Sequence, residues 1–198
     1  MNGSRFLAAK DNPFEMSRVE RLLTYDPELI GADWESIEAG WESNARIGAV
    51  VGPHGSGKTA FLSAFGARLM GRGETVVELF FNRERRSWSP EIRQRVEAAV
   101  QRGSILLVDG YEQLTFGARR QLGRAGQKGG GLCVSSHRRT TFPTMLRTHA
   151  SPEILVSLVE RLSPETQLTE RELYAIFDGS GGNLREALWS CYDHYAGI

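Results

Sequence analysis

The residues whose types and spacing could do chemistry lie close together between positions 52 and 60. Gly52-Pro53-His54-Gly55-Ser56-Gly57-Lys58-Thr59 matches the pattern G-x-x-x-x-G-K-S/T at every defined position. Glycines allow a tight turn in which successive backbone N–H groups point at phosphate oxygens. In this pattern the lysine reaches the β- and γ-phosphates, and the hydroxyl of the last residue ligates magnesium. The segment therefore predicts that ATP, with Mg²⁺, is bound by Gly52, Pro53, His54, Gly55, Ser56, Gly57, Lys58, Thr59 and Ala60.

The elements on either side of this segment have the order that a phosphate loop requires. Ile47–Val51 is an apolar run typical of a buried strand, and Thr59–Met70 has the periodicity of a helix. The start of that helix would add the positive end of its dipole to the phosphate site. The alternative is a chance glycine-rich turn, but the strand before it and the helix after it favour the phosphate loop.

A second candidate ligand follows another apolar run. Ile105–Val108 predicts a buried strand, and Asp109 comes directly after it, 51 positions beyond Lys58. A magnesium site of this kind needs a carboxylate at the tip of a neighbouring strand. Thr59 and Asp109 are therefore the predicted magnesium ligands. The alternative is an aspartate that only starts a turn before Gly110.

A catalytic base is predicted at Glu112. Many hydrolysing ATPases have a glutamate directly after the magnesium aspartate, but this chain has Gly110 there, and the nearest acid is Glu112. A tight turn at Gly110 could bring Glu112 back beside the γ-phosphate as general base. The spacing resembles the Asp-Gly-x-Asp-Glu pattern of NACHT-type signalling NTPases. An exposed glutamate capping the next helix is the alternative.

The rest of the chain alternates short strands with helices, which indicates a mostly parallel sheet covered by helices. Further strands are predicted at Thr75–Phe81, Leu132–Ser135 and Thr144–Thr148, and further helices at Glu91–Arg102 and about Thr115–Gly123. The last third has no strand candidate, and its three predicted helices are Pro152–Leu162, Thr169–Phe177 and Asn183–Tyr195. The sequence thus predicts an α/β P-loop NTPase fold, a parallel sheet sandwiched by helices, with a small C-terminal helical appendage.

These features together resemble the AAA+ ATPases, within the additional-strand P-loop group. Ser135-Ser136-His137 ends the fourth strand where that family has sensor 1, so the resemblance implies that Ser136 senses the γ-phosphate. Gly182-Asn183-Leu184-Arg185-Glu186 resembles the sensor 2 motif of the helical lid, which implies that Arg185 contacts the β- or γ-phosphate. The alternative is that Asn183 is simply an N-cap and that Arg185 is solvated.

The resemblance also implies a division of the chain into three parts. Residues 1–45 would pack near the nucleotide, with Asn12-Pro13-Phe14 close to the adenine; residues 46–150 would form the P-loop core, and residues 151–198 the lid. No arginine finger can be identified from the sequence, so a nucleotide-dependent homo-oligomer is left open. The arginines that could serve are Arg119, Arg120, Arg124, Arg138, Arg139 and Arg147.

Composition limits the partners. The chain of 198 residues has 24 Lys and Arg and 24 Asp and Glu, and this net charge of zero does not favour a protein that coats nucleic acid. Met1–Phe14 has no apolar run of signal-peptide length, and no apolar stretch is long enough to span a membrane. Cys133 and Cys191 are expected to be buried free thiols. We therefore expect a cytoplasmic protein that contacts no membrane.

Three functions are compatible with these residues. The first, which we favour, is an ATPase that acts as a molecular switch or assembly factor on an unidentified partner. The second is a small-molecule kinase, because Asn82-Arg83-Glu84-Arg85-Arg86 after the second strand offers the acid and the arginines that kinases use. The third is a protein that binds ATP without hydrolysing it, which the displaced glutamate leaves open.

Overall fold

The computed structural model describes residues 12–15, 18–19, 22–82 and 88–197. In this part of the chain five strands are β1 Ile47–Val51, β2 Val76–Phe80, β3 Ile105–Asp109, β4 Gly131–Ser136 and β5 Thr144–Arg147. Seven helices are α1 Trp34–Ser43, α2 Lys58–Gly71, α3 Pro90–Gln101, α4 Phe116–Lys128, α5 Pro152–Leu162, α6 Glu170–Gly179 and α7 Leu184–Ala196. Short 3₁₀ turns span Pro27–Ile30 and Tyr111–Gln113.

The strands form one sheet in the order β2-β3-β4-β1-β5, and every pair in it is parallel. The predicted parallel sheet is confirmed, and the predicted strand ends differ from the observed ones by one residue or so. The first four residues of β3 are completely apolar and buried, as expected for a strand flanked by two neighbours and covered on both faces. Because the strands run in the same direction, the carboxyl ends of β1, β3 and β4 all lie at the same edge of the sheet.

By their contacts the residues group into two units. The sheet unit comprises the described residues of 31–53 and 58–148, and the helical unit comprises those of 12–30, 54–57 and 149–197. The middle of the phosphate loop, residues 54–57, therefore groups with the C-terminal helices. The three-part division predicted from the sequence remains an interpretation.

The sheet unit is held together by an apolar core and an aromatic cluster. Trp41 of α1 is 1% exposed and meets Phe65 of α2 edge-on, with ring centroids 5.2 Å apart. Trp34 stacks on Phe61 at 5.4 Å. Buried aromatic pairs of this kind contribute beyond their buried area. They attach α1 to α2, the helix that starts at the phosphate loop.

The helical unit has its own core, built from the apolar faces of α5, α6 and α7. Phe14 belongs to this core and packs against Tyr195 of α7 with ring centroids 5.3 Å apart. A capping box begins α6, where the Thr169 hydroxyl accepts from the Glu172 N–H and the Glu172 carboxylate accepts from the Thr169 N–H. No helix in the described part of the chain is long and apolar enough to cross a membrane.

Candidate functional site

The phosphate loop leaves the end of β1 and enters α2, as predicted. Its first residue is tied to the sheet, because the Gly52 N–H donates to the Ser136 carbonyl at 3.2 Å. Gly55 has a φ of +68°, a conformation that side-chain-bearing residues rarely adopt. The glycine at this position is thus required by the backbone geometry of the loop itself.

Lys58 is the cation of the loop and the first residue of α2. It is only 7% exposed, and its Nζ donates to the Pro53 carbonyl at 2.5 Å, across the loop. Burial lowers the pKa of the Lys58 ammonium, while the nearby carboxylates of Glu112 and Asp109 act in the opposite direction. The Lys58 ammonium therefore lies in a desolvated position, within electrostatic range of the predicted magnesium ligand Asp109 and the predicted base Glu112.

Thr59 and Asp109, the two predicted magnesium ligands, are in direct contact. The Thr59 hydroxyl donates to Asp109 Oδ2 at 2.7 Å, although the residues are 50 positions apart. A hydroxyl and a carboxylate are the hard oxygen ligands that Mg²⁺ takes together with substrate phosphates. No group of three or more His, Cys, Asp or Glu side chains in the described residues could hold a metal ion. The hydroxyl of Thr59 and the carboxylate of Asp109 would suit a magnesium ion whose remaining ligands came from phosphate and water.

The polar side chain that reaches Asp109 from β4 is Ser135, which the sequence analysis did not single out. The Ser135 hydroxyl donates to Asp109 Oδ1 and accepts from the Gly110 N–H at 3.1 Å. Ser136 is 2% exposed, and its hydroxyl accepts from the Arg138 N–H at 3.2 Å instead. Side chains alternate along a strand, so adjacent serines point to opposite faces. That alternation indicates that only one of the two serines can reach Asp109, but the pairing of β4 with β3 decides which one; the role of Ser136 as a sensor remains a prediction.

Glu112 lies in the 3₁₀ turn that follows β3. Gly110, with a φ of +78°, makes the turn possible, because a Cβ there would lie 2.0 Å from the Phe81 carbonyl oxygen. The Glu112 side chain is 18% exposed, and its Oε1 lies 3.3 Å from His137 Nε2. Its Oε2 is buried and has no hydrogen-bond partner among the described residues. Thr115, not Glu112, caps α4, so the alternative of an exposed capping glutamate does not describe this residue.

Two contacts around Glu112 were missed by the sequence analysis. His137 Nδ1 lies 3.3 Å from the Gly52 carbonyl, so the same ring touches the phosphate loop and Glu112. Arg119 Nη2 donates to the Glu112 carbonyl at 2.7 Å, and its guanidinium lies over the Tyr111 ring at 5.2 Å. Both contacts of Arg119 are with residues of the 3₁₀ turn, so its side chain stabilises that turn. The other five arginines considered as fingers are exposed: Arg120, Arg124, Arg138, Arg139 and Arg147.

The motif that resembles sensor 2 begins α7 in the helical unit. The Asn183 side chain caps this helix, with Oδ1 accepting from the Arg185 N–H at 3.0 Å and the Glu186 N–H at 3.3 Å. Asn183 also lies against the phosphate loop, since a Cβ at Gly55 would be 1.8 Å from its Oδ1. Arg185 is exposed, and its contact with a phosphate remains a prediction.

The N-terminal residues that the resemblance places near the adenine are part of the helical unit. Asn12 is fully buried, and its Nδ2 donates to the Tyr192 carbonyl at 2.9 Å. Phe14 packs on Tyr195 as described above. The proximity of these residues to an adenine remains a prediction. Of the charged segment proposed for a kinase, residues 83–86 lie outside the described residues.

A cavity of about 450 Å³ lies beside the predicted magnesium ligands in the sheet unit. Thr59 and Asp109 form part of its wall, and Arg95 and Glu78 bring opposite charges to it. The remaining lining is mostly apolar and comes from β2, α2, α3 and β3: Leu62, Ser63, Leu79, Phe80, Phe81, Ile92 and Leu107. The cavity has the composition of a small-molecule site, with apolar walls and a few polar groups.

Comparison with known proteins gives a likeness in structure. No protein-family model matches the sequence, and no curated protein matches it either. Domain III of the replication initiation protein DnaA from Thermotoga maritima aligns over 90% of this chain and 89% of its own, with 14% identity and a TM-score of 0.53. A DnaA bound to AMPPCP and single-stranded DNA aligns with 14% identity and a TM-score of 0.59 over 87% of this chain, which spans 62% of that structure. This chain has the AAA+ P-loop NTPase-like α/β fold, a five-stranded parallel sheet flanked by helices.

Proposed function

We propose that this protein binds ATP with Mg²⁺, hydrolyses it slowly, and acts as a molecular switch or assembly factor on a partner. The observation that carries the proposal is the meeting of Thr59 and Asp109 at 2.7 Å, directly after the buried Lys58. An ammonium, a hydroxyl and a carboxylate in this arrangement are what the phosphates and metal of a nucleotide need.

The proposed reaction is in-line attack of water on the γ-phosphate, with departure of the β,γ-bridging oxygen and transfer of the water proton to Glu112. Mg²⁺ would supply neutralisation of the charge that develops on the phosphate oxygens. Lys58 would neutralise the same charge from the loop. Glu112 Oε2, which is buried and accepts from none of the residues that the structure describes, would orient the attacking water and accept its proton.

The switch function is supported by the position of Asn183 against Gly55. This contact joins the cap of α7 to the part of the loop that would surround the phosphates. Arg185, two residues further along, would bind the phosphates and release them after hydrolysis, so that the state of the nucleotide is transmitted to α7. Ser136 would sense the γ-phosphate from the end of β4.

The partner is proposed to be a protein or a protein complex. One structurally similar DnaA is bound to single-stranded DNA, but the net charge of zero gives this chain no general surplus of cations for nucleic acid. A homo-oligomer that forms only with nucleotide is a further expectation. Measuring the molar mass of the protein in solution, with and without AMPPNP, checks this expectation, which requires a higher mass only with the nucleotide.

Nucleotide binding is tested by calorimetric titration of Mg²⁺ and AMPPNP into the wild type, Lys58→Ala and Lys128→Ala. Lys128 is an exposed lysine at the end of α4 and serves as the matched control. We expect Lys58→Ala to weaken binding by about 10- to 100-fold, as loss of a charged hydrogen bond worth roughly 1.5–3 kcal/mol requires. Equal affinities in the wild type and Lys58→Ala would refute the phosphate-loop assignment.

Hydrolysis is tested by phosphate release over a range of protein concentrations in the wild type and Glu112→Gln. We expect slow turnover that rises with protein concentration and is lost in the variant. Turnover that persists in Glu112→Gln would show that another residue is the base. Nucleotide binding without any turnover in the wild type would favour the partner-activated or non-hydrolysing protein.

A small-molecule kinase is the second candidate, and the cavity of about 450 Å³ favours it. Its wall includes Asp109 and Thr59, so a molecule bound there would lie beside the predicted metal ligands. An acceptor would raise ADP formation without raising free phosphate. A panel of small alcohols and phosphorylated metabolites that leaves the ratio of phosphate to ADP at one would exclude transfer to those acceptors.

A further inference from the structure

His137 lies between two parts of the candidate site. Its Nδ1 is 3.3 Å from the Gly52 carbonyl at the start of the phosphate loop. Its Nε2 is 3.3 Å from Oε1 of Glu112, the predicted base. The side chain is 25% exposed, so neither contact is fully open to water. One imidazole ring thus connects the loop that would hold the phosphates to the residue that would activate water.

The chemistry of these neighbours determines which ring atoms carry hydrogen. The Gly52 carbonyl can only accept, so the contact at Nδ1 requires a hydrogen on that atom. The atom facing Nε2 is a carboxylate oxygen, so a second hydrogen must lie between them. A singly protonated ring next to ionised Glu112 would bring two lone pairs together. A ring that donates at both nitrogens would satisfy both acceptors.

The same contacts leave one oxygen of Glu112 for a ligand. Oε1 receives His137 Nε2 at 3.3 Å and Gln113 Nε2 at 3.4 Å. The main chain of Glu112 is held separately by Arg119, through its carbonyl. Oε2 is buried and accepts no hydrogen bond from the described residues. A carboxylate held through one oxygen, with no described residue donating to the other, has the geometry of a positioned base.

We propose that His137 is a positioning residue of the hydrolysis reaction. It fixes Oε1 of Glu112 to the start of the phosphate loop, so that Oε2 faces the attacking water in one orientation. This inference rests on the proposed function, in which Glu112 is the base. It adds a residue to that site and explains how Glu112, which follows Asp109 by three positions instead of one, is held in place.

The two nitrogens of His137 can be replaced one at a time. In His137→Gln the side-chain amide nitrogen approximates the position of Nε2 and can still donate to Glu112. In His137→Asn the amide nitrogen approximates Nδ1 and can donate only to Gly52. His137→Ala removes both donors. The Asn and Gln variants are similar in polarity and neutral, so they form a matched pair.

The measurement is steady-state ATP hydrolysis by the full chain. We expect His137→Ala to lower kcat by about 10- to 100-fold, the usual contribution of a well-oriented base or less, with a change in KM for ATP of less than about threefold. His137→Gln should recover most of kcat, and His137→Asn should not. Equal kcat in the Gln and Asn variants, or a wild-type kcat in His137→Ala, would overturn the proposal while the proposed function stands.

A second readout does not depend on turnover. The ¹⁵N resonances of the His137 ring, identified by their loss in His137→Asn, should shift in Glu112→Gln because the carboxylate charge is removed. The exposed His149 provides the control resonance, which should not move. Ring resonances of His137 that are the same in both proteins would overturn the proposal even if the wild type hydrolyses no ATP. A wild type that binds no nucleotide would instead refute the proposed function on which the inference rests.

Discussion

Replacing Gly55 by alanine tests whether the cap of α7 lies against the phosphate loop. Gly55 has a φ of +68°, which costs a non-glycine residue roughly 1–2 kcal/mol. The new Cβ would also lie 1.8 Å from Asn183 Oδ1, so the Asn183 side chain would have to leave its place. That side chain caps α7, and a lost N-cap costs typically about 1 kcal/mol. We therefore expect Gly55→Ala to lower the free energy of unfolding by about 2–3 kcal/mol.

Gly73 supplies the control for backbone strain. Its φ is +83°, but a Cβ there would meet nothing within 4 Å. Gly73→Ala should therefore cost only the strain, roughly 1–2 kcal/mol. The measurement is equilibrium urea denaturation of the nucleotide-free protein, followed by circular dichroism.

The double variant separates strain from the lost cap. Once Asn183→Ala has removed the cap, adding Gly55→Ala should cost the strain and a close contact with the Cα of residue 183, which lies 3.0 Å from the new Cβ, but no cap. The two changes should therefore differ from additivity by about 1 kcal/mol. If Gly55→Ala costs no more than Gly73→Ala, or if the two changes are additive, Asn183 does not lie against Gly55. The proposed link between the loop and α7 would then lose its structural basis.

Two further predictions concern buried groups outside the loop. Burial would raise the pKa of Glu38, but hydrogen bonds from Arg68 at 2.6 Å and from Arg72 outweigh it and lower that pKa. Glu38→Gln should therefore lower the free energy of unfolding by about 1–2 kcal/mol at pH 7. This difference should disappear as the pH falls from about 4.3 through the lowered pKa of Glu38. A difference in urea denaturation that does not change with pH would contradict this. Cys133 and Cys191 are fully buried, and burial raises the pKa of both thiols, so both should resist maleimide until the protein unfolds; labelling of the native protein within minutes would contradict this burial.

The sequence by itself determined the parts of this protein that follow from local pattern. The phosphate loop was predictable because a strand, a glycine-rich turn and a helix are consecutive in the chain. The strand ending at Asp109 was predictable because a buried parallel strand is an apolar run. The capping box at Thr169 needs only two residues three positions apart. The fold class followed from the alternation of these elements.

The tertiary structure decided which side chains meet at the site. Ser135 rather than Ser136 reaches Asp109 because β4 pairs with β3 in a register that no local pattern reveals. His137 meets Glu112 because the ends of β3 and β4 lie at the same edge of the sheet. Such contacts depend on strand order and register, which are set by packing across the whole sheet. Residue types and spacing could therefore predict the nucleotide site, but only the assembled sheet could place the side chains around the predicted base.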